Sequence, residues 1–546
     1  MRQLFLALFM LAGFAARAQP TAWTLALPIS NPNGVMDVAT GPDGAMYVTG
    51  RFTGALQMGT TQITSAGPGV CLYIAKCQPD GQVVRVTKLE GATDVVPRSI
   101  AVDAAGNSYV TGHFLGTLTY DDGRQTTAPD PPLGGPNSFL VKCGPNGRVR
   151  WVSQADGGQG GPLGSSCTGT DVAVDQMGNS YVTGQVRGPN IRFGLLAFGP
   201  RRSQGFVASY DRRGQLRWAQ VFSALPGGGF TTSGGGGLAV DNAGSCYVSG
   251  NSIGGWTLGS ITLLSPHATN YLARFETGQG QLQWAISTPG SGDGQAIATD
   301  KLGDVYVGGS FEGTAVFGPN STLTSAGEAD GFVARYDPNG DVDWATALGG
   351  PTYDVVNALA VDQKSRKVFA SGFLNFTSQS TNQSFLARLS ATGQVRQTER
   401  VGGAGTSSGG GLAIDGRNNI YTTGVFTGTC HFGQIVLNSA VTQSYLGRYG
   451  SRIAGPADHD DALTISTFPN PAQDQFTLRF SPSAPDQPVR ATLYNQLGRA
   501  VAQHALRPGV VAAEAIFDTA ALPDGLYTLR LEANQQVSTR LLMVQH

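Results

Sequence analysis

The sequence predicts an all-β chain in which one four-stranded unit recurs and the copies close into a ring. Three observations carry that prediction: a short string, YVTG, that returns along the chain; a pair of hairpin turns at fixed offsets around it; and an N-terminal segment that matches the one strand missing from the last copy. Composition agrees with it. Glycine supplies 77 of 546 residues, about twice the usual ~7%. Charged residues make up only 13%, while 40% are hydrophobic and 9% aromatic, which excludes a disordered chain or a coiled coil.

The string begins at Tyr47, Tyr109 and Tyr181 and recurs as YVSG at Tyr247, YVGG at Tyr306, FASG at Phe369 and YTTG at Tyr421. The intervals of 62, 72, 66, 59, 63 and 52 residues are too uneven for a thin solenoid and suit a blade whose loops vary in length. The clean copy at 296–349 contains four strand-like runs, 297–300, 305–311, 332–336 and 342–348. Between the first two lies DxxG, as at Asp103 and Gly106, Asp175 and Gly178, Asp241 and Gly244, and Asp300 and Gly303. Asp suits the first position of a type I turn and Gly the left-handed position that follows, so this is hairpin chemistry. Asn418, in the glycine position of the last copy, also tolerates that conformation. A second turn of the same kind, Pro145-Asn146-Gly147 or Pro338-Asn339-Gly340, joins strands three and four.

The fourth strand carries Trp151, Trp218, Trp284 and Trp344, with Arg85 and Gln397 in the equivalent slots of two other copies. Strand alternation puts these tryptophans on a packing face between units rather than on a ligand-stacking surface. The seventh copy has no fourth strand of its own: it runs from Tyr445 and Tyr449 straight into a polar segment. The N-terminal run Ala22-Trp23-Thr24-Leu25-Ala26-Leu27 matches Asp343-Trp344-Ala345-Thr346-Ala347-Leu348. Donating that strand to the last copy closes the ring and removes its open edges, which predicts a seven-bladed β-propeller over residues 19–450.

The ends of the chain read as addresses. Arg2, the 13-residue apolar run from Leu4 to Ala16 and the small-residue exit Ala16-Arg17-Ala18 form a secretory signal peptide over 1–18; the run is too short for the ~20 residues of a membrane-spanning helix. Residues 451–462 read as a polar linker, and a separate compact all-β domain, a small β-sandwich, is expected over 463–546.

Two resemblances follow from these residues. The pattern AVDxxGNxYVTG, then FVARYDPNGDVDWA and GG, resembles the seven-bladed propeller repeat of bacterial secreted proteins; that family is defined by its scaffold and implies no activity. Phe468-Pro469-Asn470-Pro471, the run from Ala491 to Arg499, the run from Leu522 to Arg530 and Thr539 to Val544 resemble the type IX secretion C-terminal sorting domain. Arg540 stands where that family commonly has lysine. The resemblance implies export by the type IX machinery as partner, removal of the tail, and a cell-surface or extracellular protein of a Gram-negative bacterium. A carbohydrate-binding or other structural sandwich is the other reading of the same strand pattern.

No catalytic constellation emerges. The six cysteines, 71, 77, 143, 167, 246 and 430, travel an oxidising route that permits disulfides, but they form no CxxC, and there is no HExxH or GxSxG. Cys77 and Cys143 occupy a slot held by Tyr210, Phe275 or Tyr336 elsewhere and are expected as small buried hydrophobes. Asp337, Asn339, Asp341 and Asp343 look like a calcium loop, but Gly340 sits at the fourth position rather than the sixth, so a hairpin turn is expected. Lys76, Lys142, Arg274, Arg335, Arg388 and Arg448 share one slot and are expected to pair with the DxxG aspartates as a structural ring. No cofactor, metal or catalytic residue is predicted, and a formal charge of −1 argues against nucleic acid.

One slot varies while its surroundings repeat. Directly after the YVTG glycine stand Arg51, His113, Gln185, Asn251, Ser310, Phe373 and Val425. These lie at the end of the second strand, on the side where loops carrying Asp94, Asp156, Asp293, Tyr353 and Asp354 cross between units. Arg51, His113, Gln185 and Asn251 are therefore the candidate ligand-binding residues. The expected function is a non-enzymatic binding or adhesion module, monomeric, taking a glycan or protein ligand. An extracellular polysaccharide lyase or hydrolase with its site at the same mouth is the alternative, because such enzymes can assemble a site from single residues on different blades.

Overall fold

The computed structural model describes residues 23–450 and 464–546, apart from 32, 129–134, 158–164, 200–202, 226–235, 253–254, 265–268, 289–295, 375–381, 469–471, 482–488, 496–498, 507–512 and 534–535. The signal peptide at 1–18 and the linker at 451–462 lie outside the described residues. Contacts divide the chain into two compact parts at 451/452. Among the described residues every regular element is a strand, and the first part has an all-β, propeller-like architecture.

Each YVTG-type string is the second strand of an antiparallel meander. In one, Ser166–Val174, Ser180–Arg187, Gln204–Tyr210 and Leu216–Val221 pair in order; in another, Ala296–Thr299, Val305–Gly318, Ser321–Tyr336 and Val342–Leu348 do the same. The long strand Val83–Val102 serves two neighbours: residues around Leu89 pair with Val70–Cys77, and those from Val95 onward pair with Ser108–Thr119. The N-terminal strand Trp23–Ile29 lies against Ile435–Gly450, with Leu27 opposite Leu446, and so stands in the sheet that holds Tyr421. Outer hairpins such as 191–193 with 196–198 and 256–258 with 261–263 extend the connection between second and third strands; the strand pattern gave no sign of them.

The DxxG turns form as the residue chemistry requires, and they recruit the tyrosine of YVTG. Asp103 Oδ1 accepts the backbone N–H groups of Ala105 and Asn107, and its Oδ2 accepts the Tyr109 hydroxyl at 3.1 Å. The same arrangement joins Asp175 to Tyr181 (2.9 Å), Asp300 to Tyr306 (3.0 Å) and Asp415 to Tyr421 (3.2 Å). These tyrosines are fully buried, so the aspartate is what satisfies their polar tip. Asn418 holds the left-handed position at φ 62°. Asp337 closes its turn by accepting Asn339 N–H at 2.8 Å and Asp341 N–H at 2.9 Å.

The tryptophans join one meander to the next. Trp151, Trp218, Trp284 and Trp344 donate their indole N–H to the carbonyls of Arg212, Thr277, Pro338 and Ala391, at 3.0–3.1 Å, in the turn of the following unit. Arg85, in the same slot, donates to Pro145 O at 2.5 Å. Among the described residues none of the six basic residues expected to form a ring pairs with a DxxG aspartate: those carboxylates accept N–H and hydroxyl donors, and Asp300 also takes the guanidinium of Arg366, from outside the slot, at 2.7 Å. Lys76 pairs instead with Asp43 at 2.6 Å, Arg335 with Asp304 at 2.7 Å, and Lys142 lies 4.8 Å over the Tyr109 ring. All six cysteines are free and buried, and burial pushes the thiols of Cys71, Cys77 and Cys143 up to about 12.

In the C-terminal part, Thr464–Phe468, Gln475–Ser481 and Ala513–Asp518 form one sheet, and Ala500–Leu506, Val489–Tyr494, Gly525–Ala533 and Gln536–Val544 another. Phe476, Leu478 and Phe517 of the first pack into one core with Leu493, Leu529 and Leu542 of the second.

Candidate functional site

The site is built by a conflict between two backbones. The first strand of each meander runs antiparallel to the second, so Val96 lies opposite His113, Thr168 opposite Gln185 and Val355 opposite Phe373. A Cβ on the YVTG glycine would overlap a first-strand carbonyl oxygen: Val96 O for Gly112, Thr168 O for Gly184, Val355 O for Gly372 and Ser408 O for Gly424. The need is for space, and only glycine supplies it. Just past that contact the first strand slips register, between Pro97 and Ser99, between Gly169 and Asp171, and between Val356 and Ala358. The residues in the slips, Arg98, Thr170 and Asn357, are bulge positions, and a bulge re-aims its side chain.

They face a cavity of about 930 Å³. Its wall is made of 36–40, 98–100, 168, 170–172, 236–238, 296–297, 357–359 and 410–413, that is, the first strand of each YVTG-bearing meander in turn. Of the sequence-predicted residues, His113, Gln185 and Asn251 stand on this wall. Arg51 does not: its guanidinium donates to Asp94 Oδ1 at 2.6 Å and to Val95 O at 3.3 Å. Ser310 is buried, and Phe373 packs against Tyr353 with ring centroids 6.0 Å apart. Asp354 is buried and accepts Gly350 N–H at 2.7 Å, while Asp293 lies outside the described residues.

The electrostatics around His113 are cationic. Burial pushes its imidazole down to about 4, the Arg98 charge acts in the same direction, and Asp94 opposes them. His113 is therefore neutral at physiological pH, and its buried Nδ1 has no hydrogen-bond partner. Arg98 has much of its surface open on the cavity side, while partial burial of its guanidinium, and then the like charge of Arg51, shift it below the ordinary arginine range. Two carboxylates line the same wall. Asp37 accepts the N–H groups of Val38 and Ile100, and Asp171 accepts those of Val172 and Leu238 together with the Ser99 hydroxyl at 2.6 Å. Burial raises Asp37 to about 7, with the Asp171 charge adding to it, and burial raises Asp171 to about 6.

Arg98, Asp37, Ser99 and Asp171 escaped the sequence reading. The available signal was positional: Arg98, Thr170, Asn357 and Gly410 each stand five residues before Asp103, Asp175, Asp362 and Asp415, varying freely inside a constant frame.

Residues 466–545 match the family of the secretion system C-terminal sorting domain. The tail therefore marks the chain for secretion, to the cell surface or the extracellular space, through engagement of the secretion machinery. No curated protein matches the chain. Solved structures with some likeness include BamB from Moraxella catarrhalis, at 11% identity and TM-score 0.32, covering 79% of this chain and 98% of that one. Quinohemoprotein alcohol dehydrogenase from Comamonas testosteroni is similar at 13% identity and TM-score 0.37, covering 84% and 80%. At such values neither protein's activity carries over. No helix among the described residues is long and apolar enough to cross a membrane.

Proposed function

We propose that the chain is a non-enzymatic binding module, a monomeric seven-bladed β-propeller closed by its N-terminal strand, exported by a Gram-negative bacterium with a C-terminal β-sandwich as its type IX sorting signal. The observation that carries this reading is the single cavity walled by the first strand of every YVTG-bearing meander, with His113, Gln185 and Asn251 at its rim. A glycan suits a wall of amides and hydroxyls outside the cell. Binding is favoured over catalysis because Asp94, the acid that acts on His113, is hydrogen-bonded to Arg51, and among the described residues no carboxylate orients the imidazole as a base. Two experiments test the proposal. Removing 463–546 should strand the protein in the periplasm; unchanged secretion would overturn the export route. Combined His113→Ala, Gln185→Ala and Asn251→Ala should weaken capture of a polysaccharide from a panel of neutral and acidic polymers by about tenfold or more, with Tm nearly unmoved. Capture that is indifferent to these changes and falls when the DxxG face is altered would place the site elsewhere.

A further inference from the structure

We infer that the cavity is a receptor for an anionic saccharide, with the guanidinium of Arg98 as the counter-ion for its carboxylate or sulfate. The inference rests on the reading of the mouth as a binding site and specifies its ligand.

Arg98 is placed as a structural arginine would not be. It occupies a bulge that turns it toward the cavity, it is exposed there, and among the described residues no carboxylate pairs with it. The charge that acts on it is unfavourable: Arg51 is a like charge, and Arg98 in turn disfavours the protonated form of His113. Arg51 is compensated by Asp94 at 2.6 Å, which leaves Arg98 as the uncompensated charge of the cluster. The other charged groups on the wall do not answer it. Asp37 and Asp171 spend their oxygens on two backbone N–H groups each and, for Asp171, on Ser99. An unpaired arginine at a concave polar surface offers a planar fork of donors that matches a carboxylate or sulfate.

The rest of the wall selects the kind of molecule that carries the anion. Gln185 brings an amide to the wall, and the hydroxyls of Thr168 and Thr170, which donate to the carbonyls of Gln185 and of Thr183 and Gly236, keep lone pairs that can accept from sugar hydroxyls. The cavity of about 930 Å³ is at the upper end of the ~300–1,000 Å³ found for small-ligand sites, room for a short oligosaccharide.

The test uses the full chain with two sets of probes. Calorimetry compares trigalacturonate with its uncharged methyl ester, on the wild type, Arg98→Gln, Arg98→Lys and the triple mouth variant. The acid should bind about tenfold or more tightly than the ester; Arg98→Gln should abolish that preference, and Arg98→Lys should keep part of it. Separately, NMR follows the His113 ring in sulfate and in chloride at equal ionic strength. Sulfate should raise the His113 titration midpoint in the wild type and leave it unmoved in Arg98→Gln, whose midpoint starts higher because the neighbouring charge is gone. Because Arg98 is exposed, Arg98→Gln should fold with unchanged Tm. Equal binding of acid and ester, abolished by the triple variant, would overturn the anion assignment while leaving the mouth as the site. No binding of either probe and no effect of sulfate would overturn both. A phosphoserine peptide that binds more tightly than trigalacturonate would overturn the saccharide assignment.

Discussion

The two ends of the meanders treat their polar groups in opposite ways. At the DxxG end the turn aspartates are committed: Asp415 alone takes the N–H groups of Arg417 and Asn419, the Asn419 amide and the Tyr421 hydroxyl. At the mouth, Arg98 lacks a carboxylate among the described residues and His113 Nδ1 is buried without a partner. An unmade hydrogen bond at a buried site costs about 1–3 kcal/mol, so a surface that leaves such groups open gives up stability that the other end keeps. The comparison teaches that repetition and saturation go together. The turn end is similar from copy to copy because its chemistry is backbone chemistry; the mouth varies because its side chains are not needed to hold the strands.

The largest expected effect would sharpen the comparison within the mouth itself. Gly184→Ala should cost about 3 kcal/mol or more, or prevent folding, because the methyl group meets Thr168 O, whereas Gln185→Ala, one residue on, should stay within about 0.5 kcal/mol. Denaturant unfolding of the two variants measures this, and similar losses would break the distinction between backbone and side-chain slots. Next, Asp415→Ala should lose about 2–4 kcal/mol by orphaning two backbone N–H groups and the buried Tyr421 hydroxyl. A loss no larger than that of His113→Ala would remove the contrast between the ends.

The third effect depends on pH. Asp37 holds its proton more tightly folded, at about 7 against the ordinary 3.8, so its contribution to stability is fully present below pH 4 and is lost as the pH rises through 7. Asp37→Asn should therefore gain on the wild type by about 2–3 kcal/mol between pH 5 and pH 8. Melting curves across that range decide it; a constant difference would mean that Asp37 is ionised throughout. The smallest effect probes the contact between meanders. Trp284→Phe keeps an aromatic ring but removes the donor to Pro338 O and part of the indole surface, and should cost about 1–2 kcal/mol. Thermal unfolding that shows no change would leave the indole N–H without a role in joining the units.

Much of the scaffold was legible in the chain because it is written in local chemistry. Asp and Gly three apart make the same turn wherever they occur, and a two-residue period places Trp151 and its counterparts on one face. The match of Trp23 to Trp344 anticipated the pairing of Trp23–Ile29 with Ile435–Gly450. The candidate site was legible only in outline. His113, Gln185 and Asn251 were reached by counting from the glycine, and they stand on the cavity wall. Arg51 was reached by the same count and turns away, because Asp94, 43 residues later, offers it an ion pair.

By itself, then, the sequence determined the turns, the strand order and the export signal, since each depends on residues a few positions apart whose conformational preferences act without help. Tertiary structure decided which side chains face the cavity. The bulge that aims Arg98 arises where the Gly112 backbone meets the Val96 carbonyl across two strands, and the open charge at Arg98 depends on Asp94 having gone to Arg51. Such outcomes are settled by competition among groups far apart in the chain, and no local preference encodes who wins.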